Sequence, residues 1–159
     1  MGADFCHPML ACARRKAGTK DRRICFLEAD TLHLPFADSS LDAVTSAFGF
    51  RNLADYRRGI DEMRRVLKPG GRVAILEFSR VTWPVFGAIF RLYFRRVLPR
   101  LGAWISGVEG PYSYLPDSVA KFPDQDTLAR MLGEAGFGKV SYVNFTGGVA
   151  ALHLGERAA

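Results

Sequence analysis

Two aspartates and one five-residue motif each follow a short apolar run that the sequence predicts to be a β-strand. Asp4 ends the first run, Asp30 follows the second, and FGFRN (Phe48–Asn52) follows the third. In a doubly wound α/β sheet, ligands bind beyond the carboxyl ends of the strands, so all three features are expected at one site. Carboxylates are hydrogen-bond acceptors. The first acid could accept from both hydroxyls of a ribose, and the second from the amino group of an adenine.

The elements around these residues alternate between apolar runs and amphipathic stretches, which is typical of an α/β fold with a largely parallel sheet. Strands are predicted at Met1–Asp4, Ile24–Leu27, Leu41–Phe48 and Arg72–Phe78. Asp55 suits the N-cap of a helix whose apolar face carries Tyr56, Ile60, Met63 and Leu67. The turn Lys68–Gly71 is expected to end that helix.

The second half of the chain predicts two helices and a hairpin. Trp83–Leu101 is expected to be helical, with an apolar stripe (Phe86, Phe90, Phe94, Val97 and Leu101) and arginines off that stripe (Arg91, Arg95, Arg96 and Arg100). Ser106–Phe122 has the composition of a loop. Asp124 and Gly136 are expected to bound a further helix. Val140–Phe145 and Val149–Leu154 predict antiparallel strands that close one edge of the sheet through Gly147-Gly148.

Composition favours a globular domain. Hydrophobic residues make up 48% and charged residues 24% of 159 positions. The sequence contains no membrane-spanning run, no secretory signal and no spacing of histidines and cysteines that predicts a metal site, so a cytoplasmic location is expected. The net charge of +6 raises a nucleic-acid-binding module as an alternative, but interleaved basic and stacking aromatic motifs are absent, so no nucleic-acid partner is expected.

The amino-acid sequences of the motifs are more specific than their positions after the predicted strands. In order, the chain carries DFxxxML from Asp4, ADxxxLPF from Ala29, FGFRN from Phe48, LKPGG from Leu67, LEFS from Leu76 and FPDQDTL from Phe122. Together they resemble the ubiquinone/menaquinone biosynthesis C-methyltransferases, which depend on S-adenosylmethionine (SAM), and the resemblance runs from Asp4 to Leu154. The stretch Tyr112–Ser118 (YSYLPDS) is more similar to the menaquinone branch, whose members act on demethylmenaquinone.

The resemblance implies a class I SAM-dependent methyltransferase fold, Rossmann-like, with a mostly parallel sheet and a C-terminal antiparallel hairpin. It assigns Asp4 to the SAM ribose and Asp30 with Thr31 to the adenine. Ala47 falls at another SAM position, where serine or glycine is usual. Arg51 and Asn52 match the family's catalytic Arg-Asn pair, close to the transferred methyl group. Tyr112 and Tyr114 are candidates to flank the quinone head.

The implied substrate is a lipophilic quinol whose isoprenoid tail needs an apolar groove. The Trp83–Leu101 helix, with aromatics on one side and arginines on the other, is of a kind that lies at a membrane surface. A peripheral position at the inner face of the membrane is therefore one expectation. The alternative is that its apolar stripe packs on the sheet or covers the substrate. The sequence does not specify an oligomeric state.

The resemblance also predicts what the chain lacks. Residues 1–159 are expected to form a partial, N-terminally truncated methyltransferase domain without the family's first strand and glycine-rich loop, and residues 80–122 a substrate lid or insertion within it. The missing strand would lie between the second and fourth strands of the family. Two sheet edges would then be exposed or pair directly. A non-catalytic remnant, a gene start assigned too late, and an enzyme with a different small-molecule acceptor are the alternatives.

Overall fold

The structure, a computed structural model, describes residues 1–18, 24–93, 97 and 111–158, apart from the side chains of residues 85, 91 and 111–114. The strands are β1 (Gly2–Asp4), β2 (Phe26–Glu28), β3 (Leu41–Ala47), β4 (Leu67–Phe78), β5 (Phe137–Phe145) and β6 (Ala150–Arg157). The helices are α1 (His7–Ala17), α2 (Tyr56–Val66), α3 (Pro84–Leu92), α4 (Pro111–Lys121) and α5 (Gln125–Glu134). Short 3-10 turns occupy Thr31–His33, Phe50–Asn52 and Thr146–Gly148.

The strands form two sheets. β1 pairs with β2 in parallel, and a second sheet has the order β3-β4-β6-β5. Within it β3 and β4 are parallel, while β6 is antiparallel to both β4 and β5. The parallel pairs and the C-terminal hairpin confirm the predicted α/β arrangement. Among the described residues β1 and β3 do not pair with each other, so each presents an unpaired edge.

Two capped helices hold the core against the larger sheet. The carboxylate of Asp55 accepts from the backbone N–H of Arg58 at 3.0 Å, and that of Asp124 accepts from Thr127 at 3.0 Å. Both N-cap predictions are confirmed, because each side chain satisfies a helix N–H that has no partner within its helix. The core is a cluster of buried apolar side chains: Phe50, Ile60, Met63, Leu67, Val73, Ile75, Phe122, Leu128, Met131, Leu132 and Phe137.

The predicted turn at Lys68–Gly71 is instead a bulge within β4. Leu41 pairs with Leu67, and the next pair joins Ala43 to Arg72, so residues 68–71 lie outside the regular ladder. Gly70 has φ 76°, a left-handed conformation that costs glycine little. The helix therefore ends at Val66 and the strand begins at once.

The prediction of a loop at Ser106–Phe122 is wrong for its second half, where α4 forms. Pro111 is the first residue of α4, a position whose N–H would have no partner inside the helix, so a proline is tolerated there. Pro116 lies within the helix, although a proline is unfavourable there; glycine, proline and two tyrosines had given the segment the composition of a loop. Ser118 is buried and its hydroxyl donates to the carbonyl of Leu115 at 3.0 Å, while Phe122 enters the core. Tertiary contacts thus outweigh local propensity.

The helix predicted at Trp83–Leu101 is confirmed from Pro84 to Leu92. Trp83 and Phe86 are in edge contact at 6.1 Å between ring centroids, and Phe86 and Phe90 lie 5.9 Å apart, as a single apolar stripe requires. Val97 is exposed. The other members of the predicted stripe and basic face, Phe94, Leu101 and the side chains of Arg91, Arg95, Arg96 and Arg100, lie outside the described residues.

Candidate functional site

A cleft of about 300 Å³ opens where the carboxyl ends of β1, β2 and β3 meet. Five of the residues predicted from sequence line it: Asp4, Asp30, Thr31, Ala47 and Asn52. The remainder of its wall comes from the same three strand ends and from two core side chains, Phe50 and Met63. The cleft joins residues of the small sheet to residues of the large one, which no single element could do.

Asp4 enters the cleft from the end of β1. Its Oδ1 accepts from the backbone N–H of Cys6 at 2.8 Å, which fixes the side chain at the start of α1. Its own carbonyl accepts from Ala29 at 3.1 Å and so ties the two strand ends together. Among the described residues Oδ2 accepts no hydrogen bond. A partly buried carboxylate oxygen without a donor can accept from ligand hydroxyls.

The two carboxylate oxygens of Asp30 have different neighbours. Oδ1 accepts from the N–H of Leu32 at 2.9 Å and caps the turn Thr31–His33. Oδ2 is 3.7 Å from Nδ1 of His33, and the side chain is 59% exposed. Helix capping, the ordinary explanation for an aspartate after a strand, is therefore present, and the capped turn places Asp30 and Thr31 together on the cleft wall.

The structure separates Arg51 from Asn52. Asn52 lines the cleft, whereas the Arg51 side chain is 10% exposed and is not part of the lining. Nη1 of Arg51 donates to Oε1 of Glu77 at 2.9 Å and to the carbonyl of Phe48. Its guanidinium carbon lies 5.5 Å from the ring centroid of Phe78, within cation–π range. The Arg51 side chain thus forms an ion pair that braces the loop after β3.

Glu77 lies beside the candidate site and was not predicted from the sequence. It is the next-to-last residue of the run RVAILEF, its side chain is 1% exposed, and it holds the loop after β3 from the neighbouring strand β4. A single acid in an otherwise apolar strand was the available signal, because such a group is buried only when it is paired and hydrogen-bonded. The loop it holds is strained, since Phe48 adopts φ 55°.

The motif FPDQDTL fastens the segment that follows β4. Gln125 is buried, and its Nε2 donates to the carbonyl of Arg80 at 2.8 Å and to Oδ1 of Asn144 at 3.1 Å. Its backbone carbonyl accepts from Nε2 of His153 at 2.9 Å. Burial lowers the pKa of His153, while the hydrogen bond that Thr127 donates lowers the pKa of Asp124. Within the described part of the chain, Gln125 therefore fastens the start of α5 to the segment after β4 and to the hairpin β5–β6.

Two further predictions concern acceptor binding and metals. The side chains of Tyr112 and Tyr114 lie outside the described residues. Phe122, the residue after α4, does reach the site, since its ring centroid is 6.3 Å from that of Phe50, a cleft residue. Among the described residues, no group of histidine, cysteine, aspartate and glutamate side chains could hold a metal ion.

Solved structures share this fold. A SAM-dependent methyltransferase of Thermotoga maritima, described as a possible histamine N-methyltransferase, superimposes with a TM-score of 0.68 at 18% identity, covering 98% of this chain and 72% of that protein. A putative methyltransferase of Bacillus halodurans gives a TM-score of 0.67 at 15% identity, covering 99% and 82%. At such identities the likeness establishes the fold alone, which is that of class I SAM-dependent methyltransferases.

Sequence relatives are much closer. The demethylmenaquinone methyltransferase of Thermus thermophilus is 54% identical over 157 residues, which are 99% of this chain and 71% of that protein. That of Deinococcus radiodurans is 52% identical, over 99% and 65%. The Brucella canis C-methyltransferase UbiE, of ubiquinone/menaquinone biosynthesis, is 50% identical over 82% and 48%. The chain thus spans roughly half to two-thirds of these relatives' length. The profile of the ubiE/COQ5 methyltransferase family matches residues 1–157, and the chain belongs to that family.

Proposed function

We propose that this chain carries the cofactor and acceptor residues of a C-methyltransferase that moves a methyl group from SAM to a ring carbon of demethylmenaquinol or a related quinol. The observation that supports this most is the cleft that collects Asp4, Asp30 and Asn52 from three strand ends. The high identity to proteins named demethylmenaquinone methyltransferase supports the choice of acceptor.

The residues present fit SAM. Asp4 has a carboxylate oxygen that accepts no hydrogen bond from the described residues and is available to ribose hydroxyls. Asp30 offers an acceptor for the adenine beside the backbone of Thr31. Ala47 contributes a methyl group, which leaves room without adding a hydroxyl contact. When bound, SAM supplies an electrophilic methyl group on a sulfonium.

The chemistry asked of the protein is to make a ring carbon nucleophilic. A quinol hydroxyl must lose its proton, so that charge moves onto the ring; the carbon–carbon bond then forms as the sulfur–methyl bond breaks, and the ring carbon loses its hydrogen as a proton. Asn52, at the cleft wall, would orient the quinol oxygen or the water that takes the hydroxyl proton. Holding the ring carbon in line with the methyl group contributes more to the rate than this proton transfer does.

SAM binding by the chain alone is expected to be weak. The glycine-rich turn of the family lets the backbone approach the cofactor closely. The family's first strand, which precedes that turn, would lie between the unpaired edges of β1 and β3. The test is calorimetric titration with SAM of the chain and of an extended protein, in which the first strand and glycine-rich turn of the Thermus thermophilus relative precede Met1.

If the extended protein binds SAM and the chain does not, the result supports both the SAM site expected from the family and the need for the glycine-rich turn. Micromolar binding by the chain alone would contradict the need for the turn. If neither protein binds SAM, the proposed function fails, and a non-catalytic remnant becomes the better explanation.

Residues 80–122 are proposed to cover the acceptor and to contact a membrane surface. Helix α3 and its N-cap expose Trp83 at 61%, Ile89 at 63% and Leu92 at 56%, an apolar surface suited to an isoprenoid chain or to lipid. None of the helices within the described residues has the length and apolarity that crossing a bilayer requires. Cosedimentation with anionic vesicles, lost in an Ile89→Ser/Leu92→Ser variant, is the expected result; sedimentation that this variant retains would contradict it.

A further inference from the structure

The strands β3, β4 and β5 all end at one edge of the large sheet. β3 and β4 are parallel, and β6 is antiparallel to both β4 and β5, so β5 runs in the same direction as β4. The carboxyl ends of all three strands therefore lie at the edge where the cleft opens beside β3. In open α/β sheets, ligands bind beyond that edge.

An exposed aromatic side chain follows or ends each of these three strands. Phe48 follows β3 and is 41% exposed, Trp83 lies in the segment after β4 and is 61% exposed, and Phe145 ends β5 and is 46% exposed. Phe78, the last residue of β4, has its ring centroid 4.9 Å from that of Phe48. Phe78 and Phe145 both pair with Ala150 of β6, so they share one face of the sheet. The four aromatic side chains Phe48, Phe78, Trp83 and Phe145 form an aromatic edge.

The turn between β5 and β6 holds the tryptophan at this edge. The N–H and the hydroxyl of Thr82 both donate to the carbonyl of Gly147, at 2.9 and 3.1 Å. The indole of Trp83 packs directly on Gly147, where an added Cβ would lie 2.9 Å from the ring carbon Cδ2. Gln125 fastens the same segment by donating to the carbonyl of Arg80 at 2.8 Å. An exposed side chain that is fixed in advance loses little conformational entropy when a ligand binds, which favours binding.

We propose that the isoprenoid tail of the acceptor lies along the aromatic edge, and that Gly147 positions Trp83 to contact it. The aromatic edge is continuous with the cleft, since Ala47 and Gly49, on either side of Phe48, line the cleft. Neighbouring strands are about 4.8 Å apart, so the ends of β3 and β5 are about 15 Å from each other, a distance that a short isoprenoid chain spans. Contiguous exposed apolar surface beside a cleft is typical of a binding site. This inference rests on the proposed methyl transfer and adds the place of the tail.

The experiment compares two acceptors, a demethylmenaquinol with a short isoprenoid tail and the same quinol ring without a tail. Methyl transfer by the extended protein is measured with each, without and with anionic vesicles. Trp83→Ala and Phe145→Ala are each expected to raise KM for the tailed acceptor about five- to tenfold, because one apolar contact is lost. Neither should change kcat, or the kcat/KM of the acceptor without a tail. Gly147→Ala, which displaces the indole, should act as Trp83→Ala does, whereas Trp83→Phe, which keeps a ring, should retain most of the affinity.

The structure offers a matched control in Ile24. Its side chain is 43% exposed, but it precedes β2 and so lies at the end of that strand away from the cleft. Ile24→Ala removes exposed apolar surface and is expected to leave KM unchanged for both acceptors. Because Trp83 and Phe145 are themselves exposed, their alanine variants keep the test valid if Gly147→Ala fails to fold.

Two results would overturn the proposal. Equal losses with the tailed and the tail-less acceptor would mean that the aromatic edge does not bind the tail. A loss with the tailed acceptor that requires vesicles would mean that the aromatic edge contacts lipid instead. If the extended protein methylates neither acceptor, the proposed function fails, and the tail site is measured separately by calorimetric titration of the chain itself with the two quinones. Tighter binding of the tailed quinone that Trp83→Ala and Phe145→Ala remove would support the tail site; equal binding by the parent chain and both variants would refute it.

Discussion

Replacing Asp4 by asparagine tests whether its carboxylate binds the ribose. Asparagine has the same shape, and its amide oxygen can still accept from the N–H of Cys6, the hydrogen bond that fixes the side chain at 2.8 Å. What is lost is the negative charge and the second acceptor oxygen, which accepts from no donor in the part of the chain that the structure describes. Stability should therefore change little, while ligand binding should suffer.

The expected loss of SAM affinity follows from the removal of one charged acceptor oxygen. Hydrogen bonds to a charged group contribute about 1.5–3 kcal/mol, and the remaining amide group would present a donor to ligand hydroxyls. The expected weakening of SAM binding is about 10- to 150-fold, since each 1.4 kcal/mol is tenfold in Kd. The loss should come with an unfolding free energy within about 1 kcal/mol of the parent protein, because the hydrogen bond to Cys6 is retained.

Calorimetric titration of the extended protein with SAM measures this directly, with urea unfolding alongside. Asp42→Asn is the control: it removes an equal charge, but Asp42 is 85% exposed, pairs with Lys68 and lies off the cleft. A general effect of net charge would weaken both variants equally. An Asp4→Asn protein that binds SAM within threefold of the parent, and no differently from Asp42→Asn, would refute the assignment of Asp4.

Three predictions concern stability measured by urea unfolding. Burial lowers the pKa of His153 below its ordinary 6.5, so the stability that its neutral form provides is present above that value and is lost as pH falls from it toward the folded-state pKa; His153→Gln should remove this dependence. Gly136→Ala should cost about 1–3 kcal/mol, because φ is 89° and the added carbon would lie 2.9 Å from Nε of Arg64. Gly133→Ala, which has open space within α5, should instead stabilise by about 0.5–1 kcal/mol. Asp124→Ala should cost about 1 kcal/mol through the lost N-cap. The hydrogen bond from Thr127 lowers the pKa of Asp124, so the difference in unfolding free energy between the parent protein and Asp124→Ala should vanish as pH falls below about 3.8. A difference that does not change with pH would contradict this role of the Asp124 carboxylate.

Much of the fold was predictable because local chemistry and packing agree. Asp55 and Asp124 cap their helices as their positions before apolar stripes indicated, and Gly147-Gly148 joins β5 to β6 with both glycines at positive φ. The cleft was predictable for a topological reason: polar residues after parallel strands meet at one edge of a sheet. Local rules failed at α4, where Pro116 argues for a loop and packing of the segment's end into the core decides otherwise.

The surroundings of Arg51 were not predictable in the same way. Its partner Glu77 lies outside the motif FGFRN, 26 residues further along the chain on β4. The two residues meet because β3 and β4 pair in parallel, so that the loop after β3 lies beside the end of β4. This pairing is a property of the tertiary structure, and the local sequence around Arg51 does not indicate it.

Asp4 and Asp30 lie at or just after strands of the small sheet, and Ala47 and Asn52 at or after β3 of the large one, so the shape of the cleft depends on what joins the two sheets. A two-stranded sheet is marginal by itself. The connection runs through α2, where Glu62, 5% exposed, accepts from the N–H of Leu34 at 2.9 Å and from Arg65 at 2.8 Å. Arg65 in turn donates to the carbonyl of Leu34 at 2.8 Å, and the hydrogen bond it gives Glu62 lowers the pKa of that carboxyl. The segment after Asp30 is thereby fastened to the helix that follows Asn52. Within the described residues β1 and β3 are not paired, and hydrogen bonds between α2 and the segment after Asp30 join the two halves of the cleft instead.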